Sequence, residues 1–185
     1  MNDGRIIVSI VRLGSYEPEA VRQALERLLE PFGSMTALLE GKRNAVLKPN
    51  FLMPSTVESA RLTHPEIIRQ AAFAVFQAGV KDITVTDSPG IGGARKCAKR
   101  LGLEIESEYF RVVDAVDSVE LDTISGDFKK IRFAKCLHEA DAIINLPKLK
   151  THGQMGMTLA VKNTFGAVMG ADKAQWHFRS GRDPM

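Results

Sequence analysis

Three observations predict a three-layer α/β sandwich with a mainly parallel sheet. Short β-branched runs alternate with amphipathic stretches at helical spacing. The connections between them are short. Several of the apolar runs end abruptly in polar residues with Pro or Gly, as parallel strands do where they meet a ligand edge. At 185 residues, 44% hydrophobic and 25% charged, the chain reads as a single α/β domain, 1–185. The tail after Trp176 has no helix or strand pattern, so the sheet is expected to be incomplete at the C-terminus, as the N-terminal portion of a longer protein.

The elements follow in order. Arg5–Leu13 is rich in β-branched residues and reads as a strand. Glu17–Phe32 places Ala20, Val21, Ala24, Leu25, Leu28 and Leu29 at helical spacing, with Pro18 in the first turn and Gly33 at the end. Ala45–Lys48 is a short buried-type strand stopped by Pro49-Asn50. Phe51–Leu62, with Pro54, Ser55, Thr56 and Ser59, reads as an irregular exposed loop. Thr63-His64-Pro65-Glu66 has the spacing of a capping box with Thr63 as the cap, opening a helix closed by Gly79.

Asp82–Thr86 is the next strand, and Ile91–Leu101 a helix with a Gly-rich start. Arg111–Val116, Val119–Thr123 and Phe128–Phe133 read as short strands, and Ala134–Glu139 as a short helix carrying His138 on its surface. Asp141–Asn145, apolar from Ala142 to Ile144, reads as a parallel strand covered on both faces. Met157–Met169 has helical character weakened by Gly166.

Charge and cysteine usage narrow the functional classes. The net charge is +3, yet residues 145–185 hold six Lys/Arg against two acids, and the rest of the chain sums to −1. That asymmetry favours an anionic small molecule over nucleic acid, since no basic stripe follows a helix and aromatics are only 6%. No run of 18 apolar residues and no signal-peptide pattern is present, so no membrane partner is expected and a cytoplasmic location is. Cys97 and Cys136 form no disulfide framework or metal knuckle and read as small buried hydrophobes.

The chemistry is expected where strands end. Lys48-Pro49-Asn50, Asp87-Ser88-Pro89-Gly90 and Asn145-Leu146-Pro147-Lys148 should converge on one edge of a parallel sheet, with His64 at a helix start beside them. Asp87 suits a base, a metal ligand or a ligand-hydroxyl acceptor, and equally a turn that bonds its own backbone. Ser88–Lys96 has the glycines of a phosphate-cradling loop, although Arg95 stands where a dinucleotide fingerprint needs its third Gly, and a tight turn explains it as well.

Pro147 ends the strand, so Lys148, Lys150 and His152 read as a loop turning polar groups into a cleft. Lys162 and Asn163 join them as anion or carbonyl binders. The candidate catalytic residues are therefore Asp87, Lys148 and His152. The candidate ligand-binding residues are Lys48, Asn50, His64, Ser88, Gly90, Lys150, Thr151, Lys162 and Asn163. No metal site is assigned, because His64, Asp87, His152 and His177 show no ligand spacing.

Together, Lys48-Pro49-Asn50, Thr63-His64-Pro65-Glu66, Asp87-Ser88-Pro89-Gly90, the run Ile144–His152 and Val161–Gly166 resemble the domain of unknown function 362 family, from about residue 5 to residue 178. The resemblance implies a domain found beside ferredoxin-type four-cysteine repeats, hence an iron–sulfur association and a ferredoxin-type domain or protein as partner. It brings no established reaction, and two cysteines supply no cluster ligands. A looser similarity, at the level of fold analogy, is to nickel-pincer lactate racemases.

Three functions fit. One is a redox- or metal-linked enzyme domain binding an anionic small molecule. Another is a non-catalytic module for phosphate, carboxylate or ferredoxin. The third is a structural unit inactive alone.

Overall fold

The computed structural model describes residues 6–123, 129–153, 156–169 and 173. In chain order the elements begin with α1 (Pro18–Leu29), a 3-10 turn over Glu30–Phe32 and α2 (Met35–Leu38). Then come β1 (Asn44–Pro49), α3 (Pro65–Gln77), β2 (Asp82–Val85), α4 (Gly93–Leu101) and β3 (Arg111–Val112). A hairpin of β4 (Ser118–Asp122) and β5 (Lys130–Ala134) leads through α5 (Lys135–His138) to β6 (Ala142–Leu146). A second hairpin, β7 (Lys150–His152) and β8 (Gly156–Thr158), precedes α6 (Ala160–Thr164) and a 3-10 turn, Phe165–Ala167.

The central sheet is parallel throughout, in the order β3-β2-β1-β6. Its register pairs Leu47 with Val85 on one side and with Ile144 on the other. Alternation along β1 gives the sheet two apolar faces. Ala45 and Leu47 pack with Ile83, Val85 and Val112 against α3 and α4 in the main core. Val46 points the other way, into a smaller cluster with Ala134, Leu137 and Ala167. Helices flank the sheet and α1 packs on α3, which makes a three-layer α/β sandwich.

Local chemistry sets most boundaries. Pro18 and Pro65 occupy the first turns of α1 and α3, where no amide hydrogen is needed. α4 closes on Gly102 in the left-handed region, at φ 71°.

Several sequence expectations need correction. Residues 6–13 form no strand: they pair with none among the described residues, and Ile6 is 90% exposed. β-branched residues suit a pleated, half-covered surface, so without a neighbouring strand their preference has nothing to act on. Thr63 does not cap α3. Pro65 at the first helical position makes His64 the cap, and its Nδ1 accepts from the Glu66 amide at 3.2 Å.

The loop 51–62 is irregular but not simply exposed, since Phe51, Ser55 and Leu62 are buried. The stretch 157–169 begins as strand β8 and is α-helical only over Ala160–Thr164. Among the described residues β6 pairs only with β1 and is a sheet edge, with Ile143 exposed. Arg5, Phe128 and the Trp176–His177 tail lie outside the described residues.

Candidate functional site

The chain leaves β1 for β2 on one side and returns on the other side as β6. The carboxyl ends of β1 and β6 therefore flank the point where strand order reverses, the usual ligand crevice of an open parallel sheet. The polar strand ends do converge there.

At the centre, Lys48 Nζ donates to Asp87 Oδ1 at 2.8 Å, and both side chains are almost fully enclosed (2% and 3% exposed). Lys48 shares the strand face of Val46, which turns a lysine stem into the smaller core. Asp87 also accepts from the Phe51 amide at Oδ2 and from its neighbour Ser88 at Oδ1, each at 2.9 Å. Gly166 lies against this pair. A Cβ there would overlap Asp87 Oδ1 and sit 2.5 Å from Lys48 Nζ.

A second group of contacts joins β1, β6 and α6. Asn163, buried on α6, donates from Nδ2 to the carbonyls of Lys48 and Pro49 and to Asn145 Oδ1 at 2.7 Å. Its Oδ1 accepts from Asn50 Nδ2 at 2.9 Å. Lys150 Nζ reaches Asn50 Oδ1 and the Arg61 carbonyl, each at 2.6 Å. The Thr63 hydroxyl donates to the Leu146 carbonyl at 2.6 Å and accepts the Asn50 amide at 2.8 Å, tying the ends of β6 and β1 together. Thr158, opposite Lys150 in the β7–β8 ladder, keeps a buried hydroxyl with no partner among the described residues.

Between these groups opens a cleft of about 490 Å³, walled by Asn50, Asp87, Ser88, Lys162, Gly166 and Lys173 among others. Burial lowers the Lys162 ammonium from its ordinary value. Lys150 is lowered by burial first, then by repulsion from Lys162 and Lys148. Lys173 donates to the Ser88 carbonyl, lies 3.5 Å from that of Gly166, and is pushed down to about 8, chiefly by burial. His64 is held below the usual imidazole value by burial, with Lys148 and Arg69 adding and Glu66 opposing. With Nδ1 accepting from the backbone, its neutral ring carries hydrogen on Nε2, and Tyr16 stacks on it at 3.6 Å.

A family model described as "Domain of unknown function (DUF362)" matches residues 45–185. The chain belongs to the DUF362 family. The thylakoid-associated protein sll1697 of Synechocystis sp. is 37% identical to it over 183 residues, 95% of this chain. The chain spans 55% of that relative's length.

Within this DUF362 chain, Lys48, Asn50, Asp87, Ser88, Gly90, Lys150, Lys162 and Asn163 either wall the cleft or bond directly to a residue that does. Lys148 and His64 lie to one side, coupled by charge. Thr151 and His152 sit on the β7–β8 hairpin outside that wall, Thr151 exposed on the face opposite Lys150. The Gly-rich loop does not leave the start of α4 open, because Asp114 Oδ1 accepts the Arg95 amide at 2.9 Å and packs against Gly93. The protein's own carboxylate thus occupies that helix start.

Sequence reasoning missed Thr63 as a tether, Asn145, the close approach at Gly166, and Lys173. Thr63, Asn145 and Gly166 were visible inside motifs; nothing around Lys173 singles it out. Among the described residues no group of three His, Cys, Asp or Glu is placed to hold a metal. Nor is any helix among them long and apolar enough to cross a membrane.

Proposed function

We propose that this DUF362 chain binds a small phosphate- or carboxylate-bearing molecule in the cleft between α6 and the carboxyl ends of β1 and β2. One observation carries the reading. Asp87 is already matched by Lys48, so among the described residues the cleft keeps two cations, Lys162 and Lys173, with no further carboxylate in its wall. Lys148 and Lys150 add to the same positive field. Asp87, with both oxygens engaged by three donors, positions Lys48 and the Phe51–Ser88 backbone instead of exchanging protons.

The test is a melting-temperature and calorimetric titration of the chain with phosphate and malonate. Both are expected to bind, and Lys162→Ala to weaken them about tenfold, the loss of one charge-assisted contact. Absence of binding by either anion, or equal binding by the variant, defeats the reading.

Exposed apolar side chains favour a second reading, docking of a redox partner. Leu149, Met157 and Leu159 are exposed on or beside the β7–β8 hairpin, next to Lys148. An acidic ferredoxin-type protein suits such a surface, as does the thylakoid association that the Synechocystis relative's name states of that protein. A cytoplasmic setting goes with the ferredoxin version, supported by the two free thiols, Cys97 and Cys136.

A further inference from the structure

The cleft's four nearby lysines are not equivalent. Lys48 is locked to Asp87. Lys150 is turned towards Asn50 and the Arg61 carbonyl. Lys162 stands in the wall with no hydrogen-bond or ion-pair partner among the described residues, ready to hold a charge.

Lys173 differs again. Its nitrogen faces two backbone carbonyls, Ser88 and Gly166, and has no third partner among the described residues. On a charged lysine that third position carries a proton. On a neutral one it is a lone pair, on a side chain that lines the cleft.

We propose that Lys173 is a nucleophilic amine that captures the carbonyl carbon of a small anionic 2-oxo or aldehyde acid as an imine, while Lys162 holds the carboxylate. This rests on the anion-binding reading and deepens it. In the first step the Nζ lone pair forms a C–N bond and the carbonyl π pair moves to oxygen. A proton passes from nitrogen to that oxygen, giving a carbinolamine. The C–O bond then breaks, the oxygen leaves as water with a proton from solvent, and the nitrogen lone pair closes C=N. One water is released and nothing is oxidised or reduced.

Burial and the nearby Lys48 charge lower Lys173 from 10.5 to about 8, against the opposing pull of Asp87. At neutral pH such an amine holds roughly 300 times more of its neutral form than an unperturbed lysine.

The experiment treats the full chain with glyoxylate and cyanoborohydride between pH 6 and 9.5, followed by intact mass measurement and peptide mapping. One N-carboxymethyl group is expected on Lys173, on the order of 100-fold ahead of the average surface lysine, with a rate midpoint near pH 8. Malonate should slow it, and Lys173→Arg should remove it. Mapping of the unmodified sequence keeps the result decisive even if that variant folds poorly. Labelling spread evenly over the lysines, while phosphate still raises the melting temperature, overturns the imine and leaves anion binding standing. Even labelling with no effect of phosphate or malonate overturns both.

Discussion

A single crowded contact organises the residue scale. Lys48 and Asp87 form an enclosed ion pair, and Gly166 passes so close that any side chain there would collide with it. Removing one partner of an enclosed pair leaves the other charge uncompensated, which costs far more than the pair contributes. Asp87→Asn is therefore expected to lower unfolding free energy by about 3–5 kcal/mol, read from the urea midpoint. Adding Lys48→Met to that variant should restore part of the loss, because Asn still accepts a backbone amide while the stranded ammonium is gone. A double variant no more stable than Asp87→Asn would mean that the pair is not coupled. Both residues were legible in the sequence, since parallel strands deliver their carboxyl ends to one edge. Their pairing was not, because it depends on the face that Lys48 takes in β1 and on the turn after β2. Lys173 was illegible because its role comes wholly from the carbonyls of Ser88 and Gly166, distant in sequence.

Two side chains connect the elements. Asn163 bonds the ends of β1 and β6 from the five-residue α6, and Thr63 spans the same two strand ends from the start of α3. Asn163→Ala would orphan several enclosed carbonyl and amide groups at once, at about 1–3 kcal/mol for each left without water. A fall of about 2–4 kcal/mol in unfolding free energy is expected, with weaker phosphate binding as Lys162 loses its anchor. Full stability in that variant would show that α6 is held by its apolar contacts alone. Most element boundaries could be read from prolines and glycines, which act through local backbone geometry: Pro18, Pro65 and Gly102 fix α1, α3 and α4. Residues 6–13 could not be read this way, because a strand is a property of a pair and no local signal names the partner.

At the scale of the whole molecule, the cleft imposes a sign on the pH dependence of stability. Lys150, Lys162 and Lys173 all titrate below their ordinary values, so at these three groups the folded state binds fewer protons than the unfolded state. Their contribution to stability then rises with pH between the folded and unfolded values, from about 8 to 10.5 for Lys173. The Cys97 thiol, pushed up to about 12 by burial, acts in the opposite direction above its ordinary 9.0. His64, also lowered, acts in the same direction as the lysines as pH climbs towards 6.5. Between pH 7.5 and pH 10 the stability change of Lys173→Met, read by denaturation, should be less positive than that of wild type by on the order of 1–3 kcal/mol. A bound phosphate, by favouring the charged lysines, should flatten the same slope. Equal pH dependence in wild type and variant would place Lys173 in ordinary solvent.

The bonds that shape the cleft join residues far apart along the chain: 39 positions for Lys48 with Asp87, 100 for Lys150 with Asn50, 113 for Asn50 with Asn163. Such contacts bear the largest loop-closure cost and reward the chain only after both ends have arrived. During synthesis β1 and β2 emerge well before α6, so Lys48 and Asp87 can meet while one wall of the cleft is still being made. A ligand recognised by the finished cleft is thus recognised only on a chain that has completed its fold, and binding doubles as a check on assembly.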